Sequence, residues 1–328
     1  MTDDYQRAVR VALINRLQQG IEETLDPLIG KATSVIYLNV PFHTNIGDAL
    51  IWLGTQAYLK RKGIRIEYLA SHVNASLRAV RRCGSRLILL HGGGNFGDLW
   101  PHPHALAERV VANFSHHRII LLAQSAHFQS VDRLQQAEAI FASHPDLHLC
   151  LREEASLAYC QRHFSKTPSY LCPDMAWYLG EQKVPRASQK PLLILSRQDR
   201  EKRIEELATA FPADRCDWVG ALMRRCLVAG IDHTLCRIGP FRRWVYDVHA
   251  EQSRADGVQL LARYQTLVTD RLHAHILAAL MGKQHIVFDN SYGKIRNTYD
   301  TWTHVFQEAV FLDDERKIDS TLARLLNM

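Results

Sequence analysis

Two rhythms of apolar and polar positions alternate along the chain. Short continuous runs of apolar, often β-branched residues are separated by longer segments in which apolar residues return every three or four positions. The first rhythm suits strands covered on both faces, and the second suits helices laid against them. Residues 3–29 read as one helix or two short ones, with Tyr5, Val9, Leu13 and Leu17 as the apolar stripe and Pro27 and Gly30 at the end. A strand (34–40), a loop to Asn45, a helix (47–62) and a strand (64–70) follow; Leu50, Leu53, Ala57 and Tyr58 face inward on that helix. The alternation continues with a helix near 74–82, a strand at 86–90, a glycine-rich loop at 91–97, a helix at 104–115 and a strand at 118–124. A helix at 131–142, a strand at 146–152, a helix at 153–164 and a short strand and loop at 169–177 complete this half.

Residues 181–190 are polar, contain Pro185 and lack periodicity, which marks a linker. A second series starts with the buried strand at 191–200. It runs through residues 217–220, a helix to Leu227, a strand near 232–237, a helix at 247–255 and a further helix around 259–264. Its best-formed unit is 267–302: a strand ending at Val268, Thr269 and Asp270 as N-caps, a helix with Leu272, Ile276, Ala279 and Leu280 inward, Gly282 as C′ residue, and a strand at 284–289. The prediction is α/β throughout: two Rossmann-like domains with mainly parallel sheets, residues 1–183 and 184–328, facing a cleft. The amphipathic segment 315–328 is expected to pack back across that cleft onto the first domain.

Composition narrows the class. With 328 residues, 47% hydrophobic and 23% charged, the chain reads as globular, and no apolar run approaches a membrane span. The N-terminus lacks the build of a secretory signal, so a cytoplasmic location is expected. The net charge of +6 suits an anionic small substrate or an anionic membrane surface. No basic run is interleaved with aromatics, so nucleic acid is not expected. The seven cysteines form no C-x-x-C pair, which argues against a disulfide framework and a structural zinc site, and no metal site is expected.

Candidate chemistry gathers at the carboxyl ends of predicted strands, where open α/β sheets bind ligands. Asn45, Gly47 and Asp48 follow one strand, and His91-Gly92-Gly93-Gly94-Asn95-Phe96-Gly97-Asp98 follows another. The triple glycine formally fits G-x-G-x-x-G, yet Pro101 and Pro103 interrupt the helix that should follow, and the next strand ends in Gln124 where a ribose-binding acid belongs. H-G-G-G also matches an esterase oxyanion loop, but G-x-S-x-G is absent. In the second half Arg197 ends a strand, Arg271 and His273 stand in a first helical turn, and Lys294 lies in a Gly-containing loop. Arginine grips planar anions bidentately and histidine moves protons near neutrality. Four such groups on one cleft edge would repel one another without an anionic guest.

The ordered set N-I-G-D (45–48), H-G-G-G-N-F-G-D (91–98), L-R-E-E-A-S (151–156), P-D (173–174), S-R (196–197) and D-R-L-H-A-H (270–275) resembles the polysaccharide pyruvyltransferases, in their bacterial exopolysaccharide branch. The resemblance implies a GT-B-like fold. It also implies transfer of pyruvate from phosphoenolpyruvate to a sugar of an exopolysaccharide repeat unit, with ketal formation and phosphate release. No cofactor is implied beyond phosphoenolpyruvate as co-substrate. By this likeness Arg271, His273 and Arg197 bind the donor, and the charge of the donor adds Lys294 on the same cleft edge. Asn45, Gly47, Asp48, Gly93, Gly94, Asn95 and Asp98 lie on the acceptor side; His273, Arg271 and Asp48 are the catalytic candidates, with the base for the sugar hydroxyl open between Asp48 and Asp98. The acceptor is expected to be a sugar, in some systems lipid-linked, which would bring the protein to the inner membrane face. His273 and His275 would point about 200° apart on one helix, so only one can face the donor. The rival expectations are a nucleotide-sugar glycosyltransferase on the same fold and a non-catalytic sugar-binding relative.

Overall fold

Every strand pairing is parallel, and the strands fall into two sheets. The structure is a computed structural model that describes residues 3–41, 45–184, 188–203, 207–218 and 239–326. The first sheet holds β1 (Ser34–Leu38), β2 (Arg65–Ala70), β3 (Leu87–Leu90), β4 (Gly93–Gly97), β5 (Arg118–His127), β6 (Leu147–Leu151) and β7 (Ser169–Leu171). Their order is β2-β1-β3-β5-β6-β7, with β4 beside β5. The second sheet holds β8 (Lys190–Leu195), β9 (Asp214–Cys216), β10 (Tyr264–Thr269), β11 (Gln284–Val287) and β12 (Ala309–Phe311), ordered β12-β11-β10-β8-β9. Residues 183 and 184 lie in sequence between the last strand of the first sheet and the first of the second.

The continuous apolar strands have the expected cause. In β1, Val35 and Tyr37 belong to one core cluster, while Ile36 and Leu38 belong to the cluster on the opposite face. In β8, Leu193 and Leu195 likewise face one core, and Leu192 and Ile194 the other. Each strand is covered twice, so polar alternation would strand polar groups in apolar surroundings.

Among the described residues the helices are α1 (Asp3–Ile29), α2 (Ile46–Arg61), α3 (Leu77–Val80), α4 (Pro101–Asn113), α5 (Val131–Ala142), α6 (Glu154–His163), α7 (Gly239–Ala262), α8 (Leu272–Met281), α9 (Lys294–Thr298) and α10 (Ile318–Leu325). One apolar core runs through both halves, taking in α1, α2, the 3-10 turn Met175–Leu179, α7 and α8. Helix α2 is its centre. Trp52 Nε1 and Gln56 Nε2 both donate to Asp247 of α7, at 3.2 and 2.9 Å. Gly54 lies so close to the 3-10 turn that a Cβ there would be 1.9 Å from the Met175 carbonyl oxygen.

Several expectations need correction. The buried stripe of α1 is Ile14, Leu17, Ile21, Leu25 and Leu28, while Tyr5 is exposed. The stripe follows the surface α1 packs against, which four-residue spacing alone did not reveal. The glycine-rich loop is largely strand β4, with Gly93 and Gly97 at φ 108° and 151°. One helix, α7, replaces the two expected at 247–255 and 259–264. Thr269 and Asp270 do not cap α8; Arg271 occupies that position, and Gly282 follows in the left-handed region as expected. Helix α10 does not cross to the first half. Its Ile318 and Leu322 pack under the second sheet with Leu192, Val268 and Ile286. The bridge is α1 instead, whose Arg10 pairs with Glu181 and Glu308 at 3.0 and 2.9 Å. The helix expected to end at Leu227 and the strand near 232–237 lie outside the described residues.

Both atoms in the Gly54–Met175 approach belong to rigid backbone, so Gly54→Ala should cost roughly 1–3 kcal/mol of stability. A drop of several degrees in the thermal unfolding midpoint is the expected reading, and an unchanged midpoint would refute the close approach.

Candidate active site

Strand order decides where a ligand can sit. In the first sheet the chain moves from β1 to β2 on one side, and β3 then lies on the other; in the second, β8 is flanked by β9 and β10. These are topological switch points, where the connections diverge and leave a crevice at the strands' carboxyl ends. The β1/β3 crevice is edged by Asn45, Asp48, Gly94 and Asn95, and the β8/β10 crevice by Arg197, Arg271 and His273. All seven residues line one cavity of about 390 Å³ between the sheets, together with Lys294.

On the first side, Asn45 caps α2. Its Oδ1 accepts from the Gly47 N–H at 3.1 Å, and its Nδ2 donates to Asp48 Oδ2 at 2.7 Å. Gly47 does not line the cavity. It lies beneath the His273 ring, where a Cβ would come within 2.4 Å of Nδ1. Gly93 is also off the wall, packed near Ile51 and Asp48. Asp98 is engaged elsewhere, where its carboxylate accepts from the backbone N–H groups of Gln129 and Ser130 at 2.7–3.0 Å. Of the expected acceptor-side residues, the fold therefore gathers Asn45, Asp48, Gly94 and Asn95 at the cavity.

On the second side, the ends of β8 and β10 are stitched together. Thr269 Oγ1 donates to the Leu195 carbonyl at 2.7 Å and accepts from the Arg271 N–H at 3.0 Å, while Asp270 accepts from the Arg197 N–H at 2.8 Å. His275 is fully buried, with its ring nitrogens 2.7 Å from His285 Nε2 and from Thr303 Oγ1. His273 is the histidine at the cavity, with Nε2 3.3 Å from Asp174 Oδ2.

The cations were expected to repel one another for want of a guest. They do not, because the protein supplies counter-charges. Asp217 grips Arg271 bidentately at 2.6 Å. Asp199 grips Arg197 at 2.9 and 2.8 Å, and Glu201 lies 3.1 Å from Arg197 and pairs with Lys294. Lys294 is a buried first-turn residue of α9 rather than a loop residue. Burial lowers its pKa to about 8 despite Glu201. Burial pushes Glu201 upward, yet Lys294 and Arg197 outweigh it and hold the carboxyl at about 2. The hydrogen bonds that hold Arg197 and Arg271 to their carboxylates run through Nε and Nη2.

Besides the counter-charges Asp199 and Asp217, the charged residues of the site that were not among the expected ones include Arg152, Asp174 and Glu201; the motifs at 151–156 and 173–174 contain the first two. Arg152, immediately after β6, lines the cavity; its Nε donates to Ser125 Oγ at 2.7 Å and its Nη1 to Asp174 Oδ2 at 2.9 Å. Asp174 follows β7 and is shared between Arg152 and His273. Burial opposes its ionisation, but His273 and Arg152 hold its pKa well below the usual range. Glu201 is the third. The strand-end rule applied to β6 would have found Arg152; no local spacing assigns Asp174 or Glu201 a place in the site.

Two parallel α/β sheets with facing switch points and a cation-rich crevice define a ligand-binding cleft. The chain belongs to the Polysaccharide pyruvyl transferase family, whose pattern it matches over residues 45–292. It is 32% identical over 299 residues to EpsO of Bacillus subtilis, named as a putative pyruvyl transferase, covering 87% of this chain and 90% of that one. It is 30% identical to Pyruvyl transferase 1 of Schizosaccharomyces pombe over 82% of this chain and 70% of that one. A crystal structure of a functionally uncharacterized Klebsiella pneumoniae protein, KP1_0663, shares the fold with a TM-score of 0.62 at 19% identity, covering 91% of this chain and 99% of that one.

The Glu201 carboxyl ionises more readily folded than unfolded, so its contribution is present above the ordinary carboxyl pKa and is lost as pH falls toward about 2. Thermal midpoints measured from neutral pH downward should show Glu201→Gln less stable near neutrality and converging with the parent in acid. Parallel curves would contradict the pairing.

Proposed function

We propose that the protein transfers pyruvate from phosphoenolpyruvate to two hydroxyls of a sugar in an exopolysaccharide repeat unit, forming a ketal and releasing phosphate. The observation that carries this reading is the set Arg197, Arg271 and Lys294 around one cavity with His273. Phosphoenolpyruvate bears a carboxylate and a phosphate on one small carbon frame. Two guanidinium groups and an ammonium suit that charge, and the planar forks suit carboxylate and phosphate oxygens.

His273 is the proton donor in this scheme. A proton passes to the methylene carbon while the first sugar oxygen bonds to the neighbouring carbon, which gains oxocarbenium character. The second sugar oxygen then bonds to the same carbon as the phosphate bond breaks, and the hydroxyl protons balance the one delivered and the one released. Asp174 Oδ2 lies 3.3 Å from His273 Nε2 and holds the ring in place for that step. Asp48 is the base candidate, since it lines the cavity while the Asp98 carboxylate is engaged with backbone N–H groups. The acceptor sugar lies toward Asn45, Gly94 and Asn95. We take it to be lipid-linked and the reaction to be cytoplasmic; among the described residues no helix is long and apolar enough to cross a membrane.

With phosphoenolpyruvate and an acceptor glycan, phosphate release should require both, and the glycan should gain a pyruvyl group by mass spectrometry. Phosphoenolpyruvate, rather than nucleotide sugars, should raise the melting temperature. At saturating substrates His273→Ala should lower turnover by about 10²–10⁴. Gly47→Ala should lower it too, because the added Cβ drives the imidazole from its place. Near-normal turnover in His273→Ala would remove the histidine from the mechanism.

A further inference from the structure

The second histidine of the D-R-L-H-A-H motif has no part in the proposed chemistry, yet its ring is bonded at both nitrogens. His275 of α8, His285 of β11 and Thr303 are all fully buried. His275 Nδ1 lies 2.7 Å from His285 Nε2, and His275 Nε2 lies 2.7 Å from Thr303 Oγ1. His285 Nδ1 in turn lies 2.7 Å from the Lys283 carbonyl oxygen. That end decides the direction of the whole row. A carbonyl oxygen only accepts, so His285 Nδ1 carries a hydrogen. Burial keeps both rings neutral, lowering His285 to about 4 and taking His275 well below the ordinary value. Glu308, whose charge acts against this on His285, is paired with Arg10 at 2.9 Å. A neutral His285 with hydrogen on Nδ1 has a bare Nε2, which accepts from the Nδ1–H of His275. His275 Nε2 is then bare as well and accepts from the Thr303 hydroxyl. Three hydrogen bonds therefore run one way, from Thr303 to the Lys283 carbonyl.

Thr303 closes a π-turn, Tyr299–Thr303. Such turns are rare and recur at functional sites. Two side chains of this one reach across to the strand end that carries Arg152. Trp302 Nε1 donates to the Arg152 carbonyl at 2.6 Å, and Thr301 Oγ1 accepts from the Glu154 N–H at 3.3 Å. Arg152 lines the cavity and holds Asp174, which faces His273. The row of histidines thus ends beside the tryptophan that fixes the Arg152 backbone.

We propose that His275 is a positioning residue of the cavity. As the neutral, Nδ1-protonated link of the row it anchors the π-turn to α8, and the turn, through Trp302, sets Arg152 against the second half. An apolar residue at 275 would leave the Thr303 hydroxyl and His285 Nε2 without these partners, removing what fixes the turn. The inference rests on the proposed function only in counting Arg152 as part of the site. Its spectroscopic readouts need no substrate, so its failure and the failure of pyruvyl transfer are separable.

The test begins with long-range proton–nitrogen spectra of the full chain near neutral pH, the two rings being assigned by substitution. His275 and His285 should both show a protonated Nδ1 and a bare Nε2; hydrogen on Nε2 of His275 would overturn the proposal. Thr303→Val removes the hydroxyl at nearly equal volume. It should shift the Trp302 indole N–H resonance and lower turnover with phosphoenolpyruvate and acceptor glycan by about tenfold or more. Thr303→Ser, which keeps the hydroxyl, should hold both at the parent's values. His275→Asn keeps a donor toward His285 but no acceptor toward Thr303, and should match Thr303→Val; it serves as the independent variant should Thr303→Val fail to fold. An unmoved Trp302 resonance in Thr303→Val, turnover in it equal to the parent's, or a shift in Thr303→Ser as large as in Thr303→Val would each overturn the proposal.

Discussion

Several positive side chains can stand almost dry around one cavity only because carboxylates are buried with them. Arg152, Arg197, Arg271 and Lys294 are all below a tenth exposed, and an unpaired charge at that depth would cost several kcal/mol. Asp174, Asp199, Glu201 and Asp217 supply the compensation, each from a segment that follows a strand. The rest of the site depends on this balance. It fixes the arginine forks, holds Lys294 against the wall, and leaves a ligand anion to compete with protein carboxylates for donors already in place. Such a site starts organised, which limits the ordering cost of binding.

Packing holds the two walls in register. The switch points belong to separate sheets, yet the core beneath them is shared. Helix α2, whose N-terminus edges the cavity, is buried against the 3-10 turn that follows Asp174 and against α7 and α8 of the second half. Gly47 under the His273 ring and Gly54 against Met175 are the two places where α2 touches what matters most. Both need the absence of a side chain more than any special backbone angle. A shift of α2 would move Asp48 relative to His273, so core packing and the geometry of the cavity are coupled through this helix.

Asp174 ties the two walls electrostatically. It takes one bond from Arg152 of the first half and faces His273 of the second. A carboxylate shared in this way orients the imidazole, while His273 and Arg152 together keep that carboxylate ionised. The orientation of His273 thereby depends on a residue that follows the opposite sheet.

The alternation of strands and helices, the parallel sheets and the strand-end residues Asn45, Asp48, Arg197, Arg271 and His273 were legible from the chain alone. Apolar runs and glycine stops are local, and the strand-end rule converts them into site positions. The ordered motifs carried the family. Which groups meet, by contrast, was settled by folding. Arg152, Asp174 and Glu201 stand on separate connections, and no spacing relates them; the sheet order brings them to one cavity. The same holds for the choice of His273 over His275, set by which side of α8 faces the crevice and which faces His285 and Thr303. The pairing of Arg197 with Asp199, two residues on, could be read from the chain, whereas Asp217 on Arg271, Asp174 on Arg152 and Glu201 on Lys294 are ion pairs across the fold that leave no periodic trace, so those partners only folding could deliver.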